Sequence, residues 1–157
     1  MGDIHMNKKQ IYLGYNLKYG HKGYGSLKKY PKSQIIEMPV AENLIMGTAI
    51  GLAMEGFYPV VFVERHDFLF HMLDQIVNHL DTYYQYPVVI KAIVADTKPL
   101  DAGIQHSQDY TESLYWMLKF INIKWSDSLK ESNRLINKYN KLNKPLIIIE
   151  NRRIYRK

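Results

Sequence analysis

The sequence predicts an α/β fold: a single domain with a mainly parallel, twisted sheet and helices on both faces. Three observations predict it. The runs YPVVFVE, PVVIKAIVA and KPLIIIE are rich in β-branched and aromatic residues, the composition of strands buried on both faces. The segments between them carry apolar residues at helical spacing. Strand-like and helix-like segments alternate along the whole chain, as crossover connections in a parallel sheet require.

Each element has its own signal. Residues 11–13 form a short apolar strand. Residues 14–33 hold four of the nine glycines, with many tyrosines and lysines, and read as loop or short helix. Residues 34–37 are a short strand. Residues 41–55 are a helix on Leu44, Ile45, Thr48, Leu52 and Ala53, stopped by Gly56. Gly47 and Gly51 lie inside it. Helix-interior glycines cost about 1 kcal/mol each, so a second helix is expected to cross closely there. Residues 58–64 are a buried strand and 70–84 a helix with Leu73, Ile76, Val77 and Leu80 inward. Residues 87–95 are a strand, 97–108 a loop, 109–119 a helix, 121–125 a strand, 128–141 a helix and 144–150 the last strand.

Composition narrows the function classes. The 157 residues carry 46% hydrophobic and 23% charged side chains, the balance of a globular chain with a real core. No apolar run approaches the roughly 20 residues that span a bilayer, and no membrane association is expected. There are no cysteines, which removes disulfides, thiolate zinc sites and cysteine nucleophiles and fits a cytoplasmic location. MGDIHM, residues 1–6, reads as vector-derived, leaving 7–157 as the domain. The formal charge of +6 is scattered over Lys8, Lys9, Lys28, Lys29, Lys32 and the tail from Arg152 to Lys157. Without an accompanying motif it reads as solvated surface or a contact with an acidic partner subunit, not as a nucleic-acid site.

Open α/β sheets bind ligands beyond the carboxyl ends of their strands. Three segments should converge there: MPVAE, RHDF and DAGIQHSQ. No Gly-rich phosphate loop is present, and GYGSL is too weak to count. His66, His71 and His79 lack a carboxylate completing a metal-ligand pattern and read as surface or partner-facing. Ser107 in HSQ lacks the strand–turn–helix elbow of a nucleophile.

Taken together, IIEMPVAENLIMGTAIGLAMEGFYPVVFVERHDF, DQIVN, GIQHSQ and KPLIIIENRRIY follow one another in an order and spacing that resembles a known family. It is the pyrimidine-binding, transketolase-like domain of the beta subunits of thiamine-diphosphate-dependent 2-oxo acid dehydrogenases. The resemblance implies the thiamine-diphosphate-binding fold and half of a cofactor site. In that family the cofactor lies between two subunits, and a GDG motif on the other one holds magnesium and diphosphate. This sequence has no GDG, so those ligands are expected on a partner chain.

Glu42 matches the acid of the family's P-[IV]-[SA]-E motif, which hydrogen-bonds N1′ of the cofactor's aminopyrimidine and so promotes proton removal from the thiazolium carbon. Taken alone, a glutamate in a first helical turn is an ordinary stabilising placement; the surrounding motif is what points to chemistry. Phe68 matches an aromatic that stacks on the pyrimidine, with a core phenylalanine as the alternative. His106 matches a loop histidine near the reacting carbons, able to stabilise or protonate a developing oxyanion. DQIVN (Asp74, Gln75, Asn78) matches a region of structure and subunit contact.

Two departures shape the expected function. Tyr15 and Asn16 stand where the family has the acids of LGED, and its first helix is missing. No C-terminal transketolase-like domain is expected after the last strand, an expectation that would argue against acyl transfer to a lipoyl carrier. The expectation is therefore a beta-like subunit of a split enzyme, with an alpha-like chain in an α2β2 heterotetramer. It would decarboxylate a 2-oxo acid, pyruvate first among them, and release the two-carbon unit or ligate it to a carbonyl acceptor. A split transketolase-type ketol transfer subunit and a non-catalytic scaffold are the alternatives.

Overall fold

A computed structural model describes residues 9–94, 101 and 103–155. Residues 1–6, and 97–100 and 102 of the anticipated loop, lie outside the described residues. Among the described residues six strands form one sheet: β1 (Gln10–Gly14), β2 (Ile35–Glu37), β3 (Tyr58–Val63), β4 (Val89–Val94), β5 (Asn122–Ser126) and β6 (Leu146–Asn151). Their spatial order is β2-β1-β3-β4-β6-β5, and every adjacent pair is parallel. The registers place Tyr12 between Ile35 and Val60, and Ile90 between Val61 and Ile147. The long apolar runs are therefore the central strands, as the parallel-sheet reading requires. From β1 the chain moves one way to β2 and the other way to β3. The direction switch opens a crevice beyond the carboxyl ends of β1 and β3.

Both faces are covered. On one side α1 (Glu42–Met54), a 3-10 helix (His66–Met72), a π-helix (Gln75–Tyr84) and α2 (Thr111–Met117) bury Ile45, Met46, Leu69, Ile76, Leu80 and Leu114 against the sheet. On the other, α3 (Leu129–Leu142) contributes Leu135, Ile136 and Tyr139, and the turn-rich segment after β1 contributes Leu17 and Leu27. That segment turns through left-handed backbone at Asn16, Lys22, Gly23, Tyr24 and Gly25. Ser128 caps α3 by accepting from the Glu131 amide at 3.2 Å, as the S-x-x-E spacing directs.

Three expectations are corrected. The single helix over 70–84 is a 3-10 turn starting at His66 followed by π winding from Gln75. The reason is Asp81. It is buried, and its carboxylate accepts the amides of Lys119, Phe120 and Ile121 at 2.7–2.9 Å. Bonding from i to i+5 puts residues five apart on one face, so Ile76, Leu80 and Asp81 all point inward; α-helical winding would turn Asp81 away. The same carboxylate ends the next helix at Met117, short of the anticipated residue 119. Gly47 and Gly51 do not receive a crossing backbone. A Cβ at Gly47 would make ordinary contact with the Gln75 side chain, and one at Gly51 would meet nothing.

One charge is interior against the run's apolar character. Lys91 of β4 is buried and pairs with the fully buried Glu150 of β6 at 3.2 Å. Ser132 and Tyr155 donate to the same carboxylate. Its ammonium also lies over the Phe62 and Tyr155 rings.

Candidate functional site

After β2, the Met38 amide still bonds to the Gly14 carbonyl, and a tight turn closes from Ala41 N–H to Pro39 O at 2.8 Å. Ala41, with no side chain able to cap, then starts α1, which puts Glu42 in its first turn. Glu42 is half-buried and lines an open pocket of about 390 Å³ with Val40, Ala41, Asn43, Phe68 and His71.

After β3 the chain runs extended through Arg65 and winds into the 3-10 turn that carries His66, Asp67 and Phe68. Phe68 is half-buried, and its ring meets Tyr15 at 6.3 Å between centroids and His106 edge-on at 5.5 Å. His106 sits in a 3-10 turn (Ile104–Ser107) opened by Gly103 at φ 81, a conformation that favours glycine. The Ser107 hydroxyl donates to the Gly103 carbonyl at 3.0 Å and closes that turn. His106 Nδ1 lies 3.0 Å from Asp67 Oδ2.

Glu42 and Phe68 thus share one pocket, and His106 is one aromatic contact away. A carboxyl group and an aromatic face on the same open pocket are the donor set an aminopyrimidine ring needs: an acid for a ring nitrogen and a flat apolar surface for its face. Among the described residues no group of three His, Cys, Asp or Glu side chains is placed to hold a metal ion.

A second polar cluster stands in the crevice between β1 and β3. Glu64 takes a hydrogen bond from Tyr24 at 3.1 Å and pairs with His21 at 3.1 Å. Burial opposes its ionisation, but the bond and charge of His21 and the bonds from Tyr24 and Tyr15 outweigh it and hold its carboxyl below the usual range. Tyr15 is pushed well up, first by burial, then by the charge and hydrogen bond of Glu64, then by the charge of Glu42.

His66 is corrected. It is 1% exposed, neither surface nor partner-facing. Its Nδ1 accepts the Tyr110 amide at 3.1 Å and so ties the segment before α2 to the end of β3. Burial lowers its pKa against the opposing charges of Asp109 and Asp67. His71 and His79 are at or near the surface, with His79 3.8 Å from Asp74. Sequence reasoning also passed over Asp67, Glu64 and His21. Asp67 lay inside the quoted RHDF motif; an acid between two aromatics at a strand's carboxyl end was the available signal.

The six-stranded parallel sheet covered on both faces defines a domain of the doubly wound α/β class. The family model for the transketolase pyrimidine-binding domain matches residues 12–157, and the chain belongs to that family. The chain is 32% identical over 103 residues to the beta subunit of 3-methyl-2-oxobutanoate dehydrogenase from Mycobacterium tuberculosis, covering 59% of this chain and 28% of that protein. It is 43% identical over 56 residues to the beta subunit of the pyruvate dehydrogenase E1 component from Leifsonia xyli, covering 36% of this chain and 17% of that protein. Among solved structures, a split-gene transketolase in an inactive beta4 tetramer superposes with a TM-score of 0.72 at 22% identity, over 93% of this chain and 46% of that one. The chain spans less than half the length of these relatives. Among the described residues no helix is long and apolar enough to cross a membrane.

Proposed function

We propose that this chain is the pyrimidine-binding, beta-like subunit of a split thiamine-diphosphate enzyme acting on a 2-oxo acid, with pyruvate the first substrate to test. The observation that carries it is the shared pocket of Glu42 and Phe68, inside a sequence that belongs to the pyrimidine-binding family. Similarity to the two dehydrogenase beta subunits supports the 2-oxo acid class. An alpha-like chain would supply the diphosphate and magnesium ligands, most simply in an α2β2 assembly, since this sequence lacks the GDG motif.

Thiamine diphosphate, when bound, supplies a thiazolium carbon that adds to a carbonyl and stabilises the charge left by decarboxylation. The residues of this chain would act on the pyrimidine side of the site and on the substrate's oxygen. Glu42 would hold a proton at a ring nitrogen of the aminopyrimidine. Phe68 would pack against that ring and keep water off it. His106 offers a ring nitrogen to a developing oxyanion or to the departing product's oxygen. Release of an aldehyde or ligation to a carbonyl acceptor completes the turnover.

The test is reconstitution. This chain, its alpha-like partner, magnesium and thiamine diphosphate together should release carbon dioxide from pyruvate; either chain alone should not. Glu42→Gln should abolish proton exchange at the thiazolium carbon while leaving assembly intact. Full activity of that variant would remove Glu42 from the mechanism.

A further inference from the structure

Asp67 is a buried acid with no part in the proposed chemistry so far. It is only 9% exposed, which is costly for a carboxylate unless a partner compensates. One oxygen, Oδ2, lies 3.0 Å from His106 Nδ1; the other, Oδ1, finds no hydrogen-bond partner among the described residues. His106 is about a third exposed, so its ring is partly held in the protein and partly open to solvent. The two residues are 39 apart in sequence and come from different segments, the turn after β3 and the turn after Gly103. Neither backbone needs this contact, because each turn closes on its own hydrogen bonds: Phe68 N–H to Arg65 O at 3.0 Å and His106 N–H to Gly103 O at 3.2 Å.

We propose that Asp67 is the positioning residue for His106, holding its Nδ1–H and thereby presenting Nε2 to the substrate. The proposal rests on His106 acting as the preceding section assigns it. The chemistry is simple. A carboxylate only accepts, so the imidazole nitrogen facing it carries the proton. The neutral ring then has its lone pair on Nε2, and the imidazolium has N–H at both nitrogens. In each state the bond to Asp67 persists, so Nε2 can take up a proton and return it without the ring turning. The Phe68 edge contact at 5.5 Å and 81° fixes the ring's plane from the side. Without Asp67, a histidine on an exposed turn favours the opposite tautomer and several rotamers, and Nε2 would face the oxyanion only part of the time.

Two readouts test this. Nitrogen and carbon NMR of the imidazoles in the isolated full-length chain, with His106→Gln assigning the signal, should show the neutral ring of His106 protonated at Nδ1. In Asp67→Leu, which removes the acceptor but keeps bulk, the proton should move to Nε2; in Asp67→Asn, whose amide oxygen still accepts, it should stay on Nδ1. In the reconstituted two-chain enzyme, Asp67→Leu should lower kcat about 10- to 100-fold, by analogy with the loss of carboxylates that orient metal-bound imidazoles. KM should change little, and Asp67→Asn should recover much of the rate. Wild-type His106 protonated at Nε2 overturns the proposal without any variant. So does an Asp67→Leu enzyme with unchanged kcat. The NMR readout needs no cofactor. An inactive Glu42→Gln alongside an unaffected Asp67→Leu would therefore discard this inference alone. A fully active Glu42→Gln alongside the expected tautomers would discard the cofactor role alone.

Discussion

At the scale of single residues, the most demanding side chain outside the pocket is Asp81. One buried carboxylate receives three consecutive amides from the end of α2 and the approach to β5. Hydrogen bonds to a charged group contribute about 1.5–3 kcal/mol each, and a donor left unmet in the interior carries its own penalty. Asp81→Ala is therefore expected to destabilise the chain by at least about 3 kcal/mol in urea unfolding, with little effect on the geometry around Glu42. The buried pair of Lys91 and Glu150 behaves differently. Removing one partner leaves a charge stranded, so Lys91→Met should cost about 3–5 kcal/mol. Replacing both, as Lys91→Met with Glu150→Leu, should recover most of that loss. A double variant as unstable as the single one would show that the ion pair is not the main contribution, leaving the ring contacts of Lys91 and the hydroxyls of Ser132 and Tyr155 that donate to Glu150.

Among the elements, the segment leading into α2 is held by His66. The neutral imidazole accepts the Tyr110 amide at Nδ1, and protonation there would break the bond. Burial keeps the folded pKa below the ordinary 6.5. The unfolded chain thus binds a proton that the folded chain refuses. The stability contributed by neutral His66 is complete above 6.5, declines as pH falls through that value, and levels off below the folded pKa. Chemical denaturation at successive pH values should show this decline in the wild type and a flatter profile in His66→Gln over the same window. The two turns at the crevice illustrate a second point about elements. Both are short 3-10 turns, too brief for periodicity to announce, yet they carry Phe68, Asp67 and His106.

For the whole molecule, α1 is informative because it is apolar on all sides. Ile45, Met46, Ala49 and Ile50 face the sheet, while Val40 before it and Leu44, Gly51 and Met54 along it are exposed. A helix of that kind is ordinarily covered on both sides. This outer face adjoins the pocket of Glu42, where the proposed alpha-like chain would close over the cofactor. Leu44→Glu should leave the isolated chain's stability within about 0.5 kcal/mol, as exposed substitutions do. In sedimentation with the partner it should shift the mixture toward free subunits. Unchanged assembly would place the partner on another face.

Much of this architecture was legible in the linear chain. Runs such as PVVIKAIVA announce central strands because a strand buried on both faces has no polar side to show, and the alternation of elements dictates parallel pairing. Glu42, Phe68 and His106 were readable only through their resemblance to a family pattern. Each taken alone is an ordinary glutamate, phenylalanine or loop histidine. Packing alone decided the rest. The inward turn of Asp81 set the π winding, the burial of His66 made it a clamp, and the pairing of Lys91 with Glu150 placed a charge inside a β-branched strand. The approach of Asp67 to His106 also needed the fold. Periodicity records which side of an element is apolar, but a polar group's role depends on which distant segment reaches it, and that is settled only when the strands take their order in the sheet.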